Sequence, residues 1–104
     1  MGKMLDFIIL DDAEDDLLNA YNWCQAKKLG LGDRFLSSVQ EGLTLIRQHP
    51  DIFPVSIVEC RRALISKFPF EIIYEKKENR IVVYSVFNCS QHPQRWKSRV
   101  LREE

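Results

Sequence analysis

The feature that most constrains this fold is a change of hydrophobic period near the middle of the chain. Before Pro50 the apolar residues recur at three- and four-residue steps, and beyond it they come in short β-branched and aromatic runs. Ala13, Leu17, Ala20, Tyr21 and Cys24 mark one face of a first helix. Asp11 or Asp12 is placed to cap it, because a carboxylate can accept the unpaired N–H groups of a first turn. Glu14, Asp15 and Asp16 follow where the helix dipole favours negative charge. Lys27 and Lys28 fall in the last turn, and Gly30 is a natural stop. A second stripe of Phe35, Leu36, Val39, Leu43 and Ile46 predicts a helix from about residue 33 to Pro50. Only Gly30-Leu31-Gly32 separates the two, so they are expected to pack as an antiparallel hairpin.

Residues 4–10 read as a strand ahead of this hairpin. Four further strand-like runs follow it, at 56–60, 62–68, 70–75 and 81–87. The polar stretch Lys76-Lys77-Glu78-Asn79-Arg80 joins the last two as a hairpin. Both faces of the final run are apolar, which suits a central strand covered on at least one side. Residues 88–104 form a polar, basic tail with Trp96 as its large apolar anchor. The expectation is a single α+β domain over 1–104: an N-terminal strand, an antiparallel helix hairpin, then a three- to four-stranded, mainly antiparallel sheet. Both helices should lie on one face of that sheet.

Charge limits the function classes. Fifteen basic residues balance fifteen acidic ones, whereas a protein that lives on phosphate contacts carries a basic excess. Nucleic-acid contact would therefore require a local basic patch. Cys24, Cys60 and Cys89 lie far apart with no metal-ligand or disulfide spacing, so reduced thiols in a cytoplasmic protein are expected. No run approaches the roughly 18 apolar residues of a membrane span. Gly30-Leu31-Gly32 lacks the context of a phosphate loop, and no metal cluster or nucleophilic triad can be assembled, so no cofactor is expected.

Several motifs occur in a fixed order. Asp16-Leu17 opens the first helix, and Gly30-Leu31-Gly32-Asp33-Arg34-Phe35 begins the second. His49-Pro50-Asp51-Ile52-Phe53-Pro54 closes it, and Arg61-Arg62-Ala63-Leu64 enters a strand. Phe68-Pro69-Phe70-Glu71-Ile72-Ile73-Tyr74 and Ile81-Val82-Val83-Tyr84-Ser85-Val86-Phe87 follow, and Pro93-x-x-Trp96-x-x-Arg99 completes the set. In this ordered set the chain resembles the RelE/ParE toxin superfamily of plasmid-stabilisation and type II toxin–antitoxin systems. The resemblance implies a toxin held inactive by a cognate antitoxin. In the ParE branch the target is DNA gyrase; in the RelE branch it is the ribosome with its bound mRNA. Where members often carry a His after the last strand this chain has Asn88, and where they often carry an Arg before the tail Pro it has Gln91.

For a metal-independent endonuclease of the RelE type, the candidate catalytic residues are Arg61, Arg62, Tyr84, His92 and Arg95. Arginines can stabilise a phosphate transition state, although adjacent Arg61 and Arg62 must point to opposite faces of a strand. Phe68, Phe70 and Trp96 are the candidates for partner binding. Each has a structural alternative: Pro69 breaks a strand, and a Trp beside a Pro can pin a terminal segment. The leading expectation is a ParE-like toxin that binds a protein target, since a protein partner needs no strong basic field. The alternatives are the nuclease and a non-toxic homologue that keeps the fold. Self-association is expected when the antitoxin is absent.

Overall fold

The computed structural model describes residues 5–56 and 58–103. In chain order the elements are β1 (Asp6–Ile9), α1 (Asp11–Lys27), α2 (Leu31–Gln48), β2 (Arg61–Leu64), β3 (Phe70–Lys76), β4 (Arg80–Asn88) and α3 (Gln94–Glu103). The strands form one sheet of order β1-β4-β3-β2, with β1 parallel to β4 and the other pairs antiparallel. This is the expected α+β arrangement. β4 is central and is buried along both faces from Ile81 to Phe87.

The helix hairpin covers one face of the sheet. Phe35, Val39 and Ile46 of α2 and Ala13, Ala20 and Cys24 of α1 meet Ile72, Tyr74, Ile81 and Val83 there. Phe35 is fully buried, with its ring 5.3 Å from Phe68 and 5.2 Å from Phe70. The opposite face is covered by α3, where Trp96 and Val100, four residues apart, pack on Ile73, Val82, Tyr84 and Phe87. Cys24 and Cys60 therefore lie in separate cores on opposite sides of the sheet, and Cys89 is exposed.

The structure moves several boundaries. Asp11 and Asp12 stand inside the first turn of α1; Leu10 is its N-cap and supplies no side-chain bond. Their charges still favour that end of the helix through the dipole. α2 starts at Leu31, so Gly32 is helical rather than part of the break. Gly30 makes the turn alone with φ 89°, and the Gln25 side chain accepts hydrogen bonds from the backbone of Gly30 (3.0 Å) and Gly32 (2.7 Å).

A Cβ at Gly32 would stand 2.6 Å from Gln25 Cγ and 2.7 Å from Tyr21 Cε2. Gly32→Ala should therefore lower stability by about 1 kcal/mol, overpacking of about 1–3 kcal/mol outweighing a propensity gain that in this first turn is below the roughly 1 kcal/mol of a helix interior. Urea denaturation checks the sign.

The run at 56–60 is not a strand. Val58 and Glu59 take left-handed φ values of 49° and 63°, turning the chain so that Ser56 N–H reaches the Cys60 carbonyl at 2.7 Å. Among the described residues of this segment the isolated Val55–Arg61 bridge is the strand-like pairing. Val58 faces the α3-side core, which accounts for its apolar character without a strand. The run at 62–68 shrinks to β2, because Lys67 (φ 68°) closes a tight turn in which Ile65 and Phe70 pair. Position 4 and Ile57, which fall within the expected strands, lie outside the described residues.

Candidate functional site

The sequence candidates fall into separate settings. Arg61 and Arg62 point to opposite faces, as adjacent strand residues must. Arg61 is turned toward the α2–β2 loop, where it donates to the carbonyls of Phe53 and Asp51 and pairs with the Asp51 carboxylate at 3.2 Å. Lys76 holds the other Asp51 oxygen at 3.0 Å. Tyr74 finishes this clamp by donating to the Pro50 carbonyl at 2.9 Å.

Burial pushes the Tyr74 hydroxyl up to about 12 from 10.0; nearby Arg61 opposes the shift and Asp51 adds to it. The folded protein thus holds this proton more tightly than the unfolded chain does. Its contribution is complete below pH 10.0 and is lost as pH rises toward about 12. Two units correspond to about 2–3 kcal/mol, so native protein should lose stability over that window while Tyr74→Phe shows a flatter profile. Denaturant midpoints measured from pH 9 to 12 check this.

On the α3 side, Arg62 donates to Glu71 at 2.6 Å and lies 6.0 Å from the Trp96 ring. Tyr84 is 2% exposed and donates to Glu75 at 2.9 Å. Glu75 also pairs with Lys77. Each nuclease candidate on this face therefore stands beside a mostly buried carboxylate, an unfavourable neighbour for a phosphate.

His92 is exposed, and its Nδ1 accepts the Gln94 N–H at 3.1 Å, so it helps start α3. Asn88 is likewise engaged locally: its side-chain oxygen accepts from both the backbone and the hydroxyl of Ser90, turning the chain out of β4. Trp96 is fully buried, Phe70 is 4% exposed and Phe68 is half-buried, so Phe68 offers the most surface of the three.

The opening that a partner could enter lies on the other side, and it centres on Trp23. A cleft of about 610 Å³ runs between the helix hairpin and the β2–β3 turn, with Trp23, Leu31 and Phe68 as apolar lining and Lys27, Arg34 and Lys67 as cations. A second hollow of about 250 Å³ also touches Trp23 and continues past Asn88 and Gln91 to Arg95. Trp23 is 41% exposed, packs edge-on to Phe70 at 5.7 Å, and carries Lys27 Nζ 4.7 Å from its ring centre. Trp23 stands off the Ala20–Cys24 stripe, so hydrophobic periodicity does not single it out.

One ionic hub positions this surface. Asp16 accepts from Arg99 at 2.5 and 3.0 Å, from Ser85 Oγ at 2.8 Å and from Val86 N–H at 3.1 Å. Both charged side chains are about 85% buried, at 14% and 15% exposure. The hydrogen bond to Asp16 raises the Arg99 pKa further, against the opposing effect of burial. The pair joins α1, β4 and α3 around the second hollow. Among the described residues no group of three metal-ligating side chains occurs, and no helix is long and apolar enough to cross a membrane.

A helix hairpin and a third helix on opposite faces of a small mixed sheet define a compact α+β protein with an open, partly apolar groove. The same fold occurs in a chain of the solved structure "Chromosomal ParDE TA system from P. aeruginosa", at TM-score 0.72 and 15% identity, covering 82% of this chain and 96% of that one. Residues 7–93 match the model of the family described as ParE toxin of type II toxin-antitoxin system, parDE. The chain belongs to that family. No individually curated protein matches it significantly.

Proposed function

We propose that this family member is an active cytoplasmic toxin that docks on a protein target of the DNA gyrase class and is silenced by a cognate antitoxin lying in the groove between hairpin and sheet. The observation that carries the reading is the contrast between two surfaces. The nuclease candidates Arg62 and Tyr84 are engaged by Glu71 and Glu75, while Trp23 stands exposed at the junction of two hollows. An exposed aromatic in a concave, partly apolar setting is the usual anchor of a protein interface. In free protein the same surface would favour self-association.

DNA supercoiling by purified gyrase should be inhibited by the folded chain. Unchanged supercoiling at saturating protein would remove gyrase as the target. The RelE-like alternative draws support from Lys27, Arg34 and Lys67, which supply the local basic patch that a neutral chain would need. It requires cleavage of mRNA in a translating extract, and intact mRNA there would exclude it.

A further inference from the structure

We infer that β1 is a dimerisation edge: two copies of this chain pair their β1 strands antiparallel about a two-fold axis at Ile8, joining their sheets into one. The inference does not depend on the toxin reading. It concerns the edge of the sheet farthest from the β2–β3 turn. Among the described residues β1 and β2 are the outer strands. The outer side of β2 is met at Arg61 by the Val55 bridge, and Arg62 adds a second charge to that short strand. β1 reads Asp6-Phe7-Ile8-Ile9 and has no such cover among the described residues. It contains no Lys, Pro or bulge, the usual devices that blunt an open edge. Ile8 is 42% exposed on it.

The backbone selects the register. Leu10 donates its N–H inward to the Val83 carbonyl at 3.2 Å. Backbone direction alternates along a strand, so Ile8 also bonds inward to β4, and the N–H and C=O groups of Phe7 and Ile9 point away from the sheet. In an antiparallel pairing centred on Ile8, Phe7 of one copy lies opposite Ile9 of the other, and such a pair exchanges both backbone bonds. The outward groups of Phe7 and Ile9 are then satisfied on both copies. Ile8 meets Ile8 at the non-hydrogen-bonded position, where paired strands come closest.

The side chains agree with this register. Phe7 and Ile9 pack on the hairpin-side core, so Asp6 and Ile8 face the α3 side. There a hollow of about 510 Å³, lined by Ile8, Leu10 and Arg102, can receive the second Ile8. The same pairing sets Asp6 of one copy opposite Leu10 of the other, beside Arg102 on the rim. Asp6 is exposed and the Arg102 side chain is 64% exposed, so an acid meets a base at each end of the contact. Arg47 is the like charge nearest the axis, and it is held 4.7 Å over its own Phe7 ring. A second copy suits this edge better than an unrelated strand, because the register is its own complement. The hollows beside β1 share no lining residue with those around Trp23, so the dimer leaves both Trp23 surfaces open.

The test uses the full chain carrying Cys89→Ser, which removes the exposed thiol. Sedimentation velocity from about 1 to 100 μM should show a monomer–dimer equilibrium. Ile8→Lys, which sets two cations across the axis, should weaken the dimer at least about tenfold; an unchanged urea midpoint shows that it folds. Trp23→Lys should dimerise as the parent does. Ile8→Cys should form an intermolecular disulfide in oxidised glutathione, since Cα atoms about 4.5 Å apart at that position lie within disulfide reach. Leu18→Cys, 59% exposed on α1, should not.

A chain that stays monomeric over the whole range would overturn the inference, as would equal cross-linking at Ile8→Cys and Leu18→Cys. So would a dimer that Trp23→Lys abolishes and Ile8→Lys leaves intact, which would place self-association at the groove. If Ile8→Lys fails to fold, the cross-linking pair decides.

Discussion

Asp16→Ala is expected to lower the unfolding free energy by about 3–5 kcal/mol, the range for removing one partner of a buried ion pair. The loss exceeds that of one contact. Among the described residues Arg99 keeps the Tyr84 carbonyl at 3.2 Å, the distant Asp12 at 3.7 Å and the nearby charge of Asp15, while Ser85 Oγ and Val86 N–H lose their acceptor. An unsatisfied buried donor costs about 1–3 kcal/mol. Arg99→Ala should be similarly damaging, and the double variant should cost clearly less than the two singles added together. Urea titration of all four proteins gives that coupling. The comparison with Arg62–Glu71 shows which effect decides: Arg62 is 32% exposed against 15% for Arg99, so Glu71→Ala should cost no more than about 1–2 kcal/mol.

Trp96→Ala should be as severe, at about 3–5 kcal/mol, because it empties the centre of the core beneath α3. Trp96 is fully buried, yet its indole N–H meets no hydrogen-bond acceptor among the described residues. That predicts an asymmetry. Trp96→Phe removes an unsatisfied donor while keeping most of the apolar bulk, so it should cost only about 1 kcal/mol. The hairpin-side core contains no residue of α3, so the alanine variant should first lose protection in α3 (Gln94–Glu103). Amide hydrogen exchange would show faster exchange there before any global change; uniform acceleration would mean that α3 is not a separable unit.

These expectations also show what the sequence could and could not convey. The hairpin and the central strand were legible because periodicity follows burial: Phe35, Val39 and Ile46 are buried and β4 is covered on both faces, although Leu36 of the same expected stripe is 38% exposed. The α3 helix was harder to read. Its residues are so polar that the stripe reduces to Trp96 and Val100, and a polar tail with one anchor looks the same in sequence as a loop. The run at 56–60 misled for the opposite reason. Val58 is apolar because it packs on the α3-side core from a left-handed turn, and composition cannot distinguish that from a strand.

For the site, the candidates were chosen by charge and motif, and both criteria ignore what stands opposite. Arg62 and Tyr84 face carboxylates from the neighbouring strand β3, a fact of register that only the folded sheet supplies. His92 and Asn88 shape the turn into α3, which gives a local physical reason for Asn88 at the end of β4. Trp23 was hidden by its neighbours, since a single aromatic one step off a helical stripe carries no periodic signal. The neutral total carried no information on where charge gathers: Lys27, Arg34 and Lys67 meet at one cleft, together with Glu41, only once the hairpin packs beside the β2–β3 turn.

The most direct test of the central claim is tightly controlled induction of the chain in a bacterial host lacking any partner gene, with pulse-labelling of DNA and protein synthesis. The account predicts growth arrest in which DNA synthesis falls before protein synthesis. Unimpaired growth in cells shown to hold soluble, folded protein would contradict it and leave a non-toxic homologue that keeps the fold.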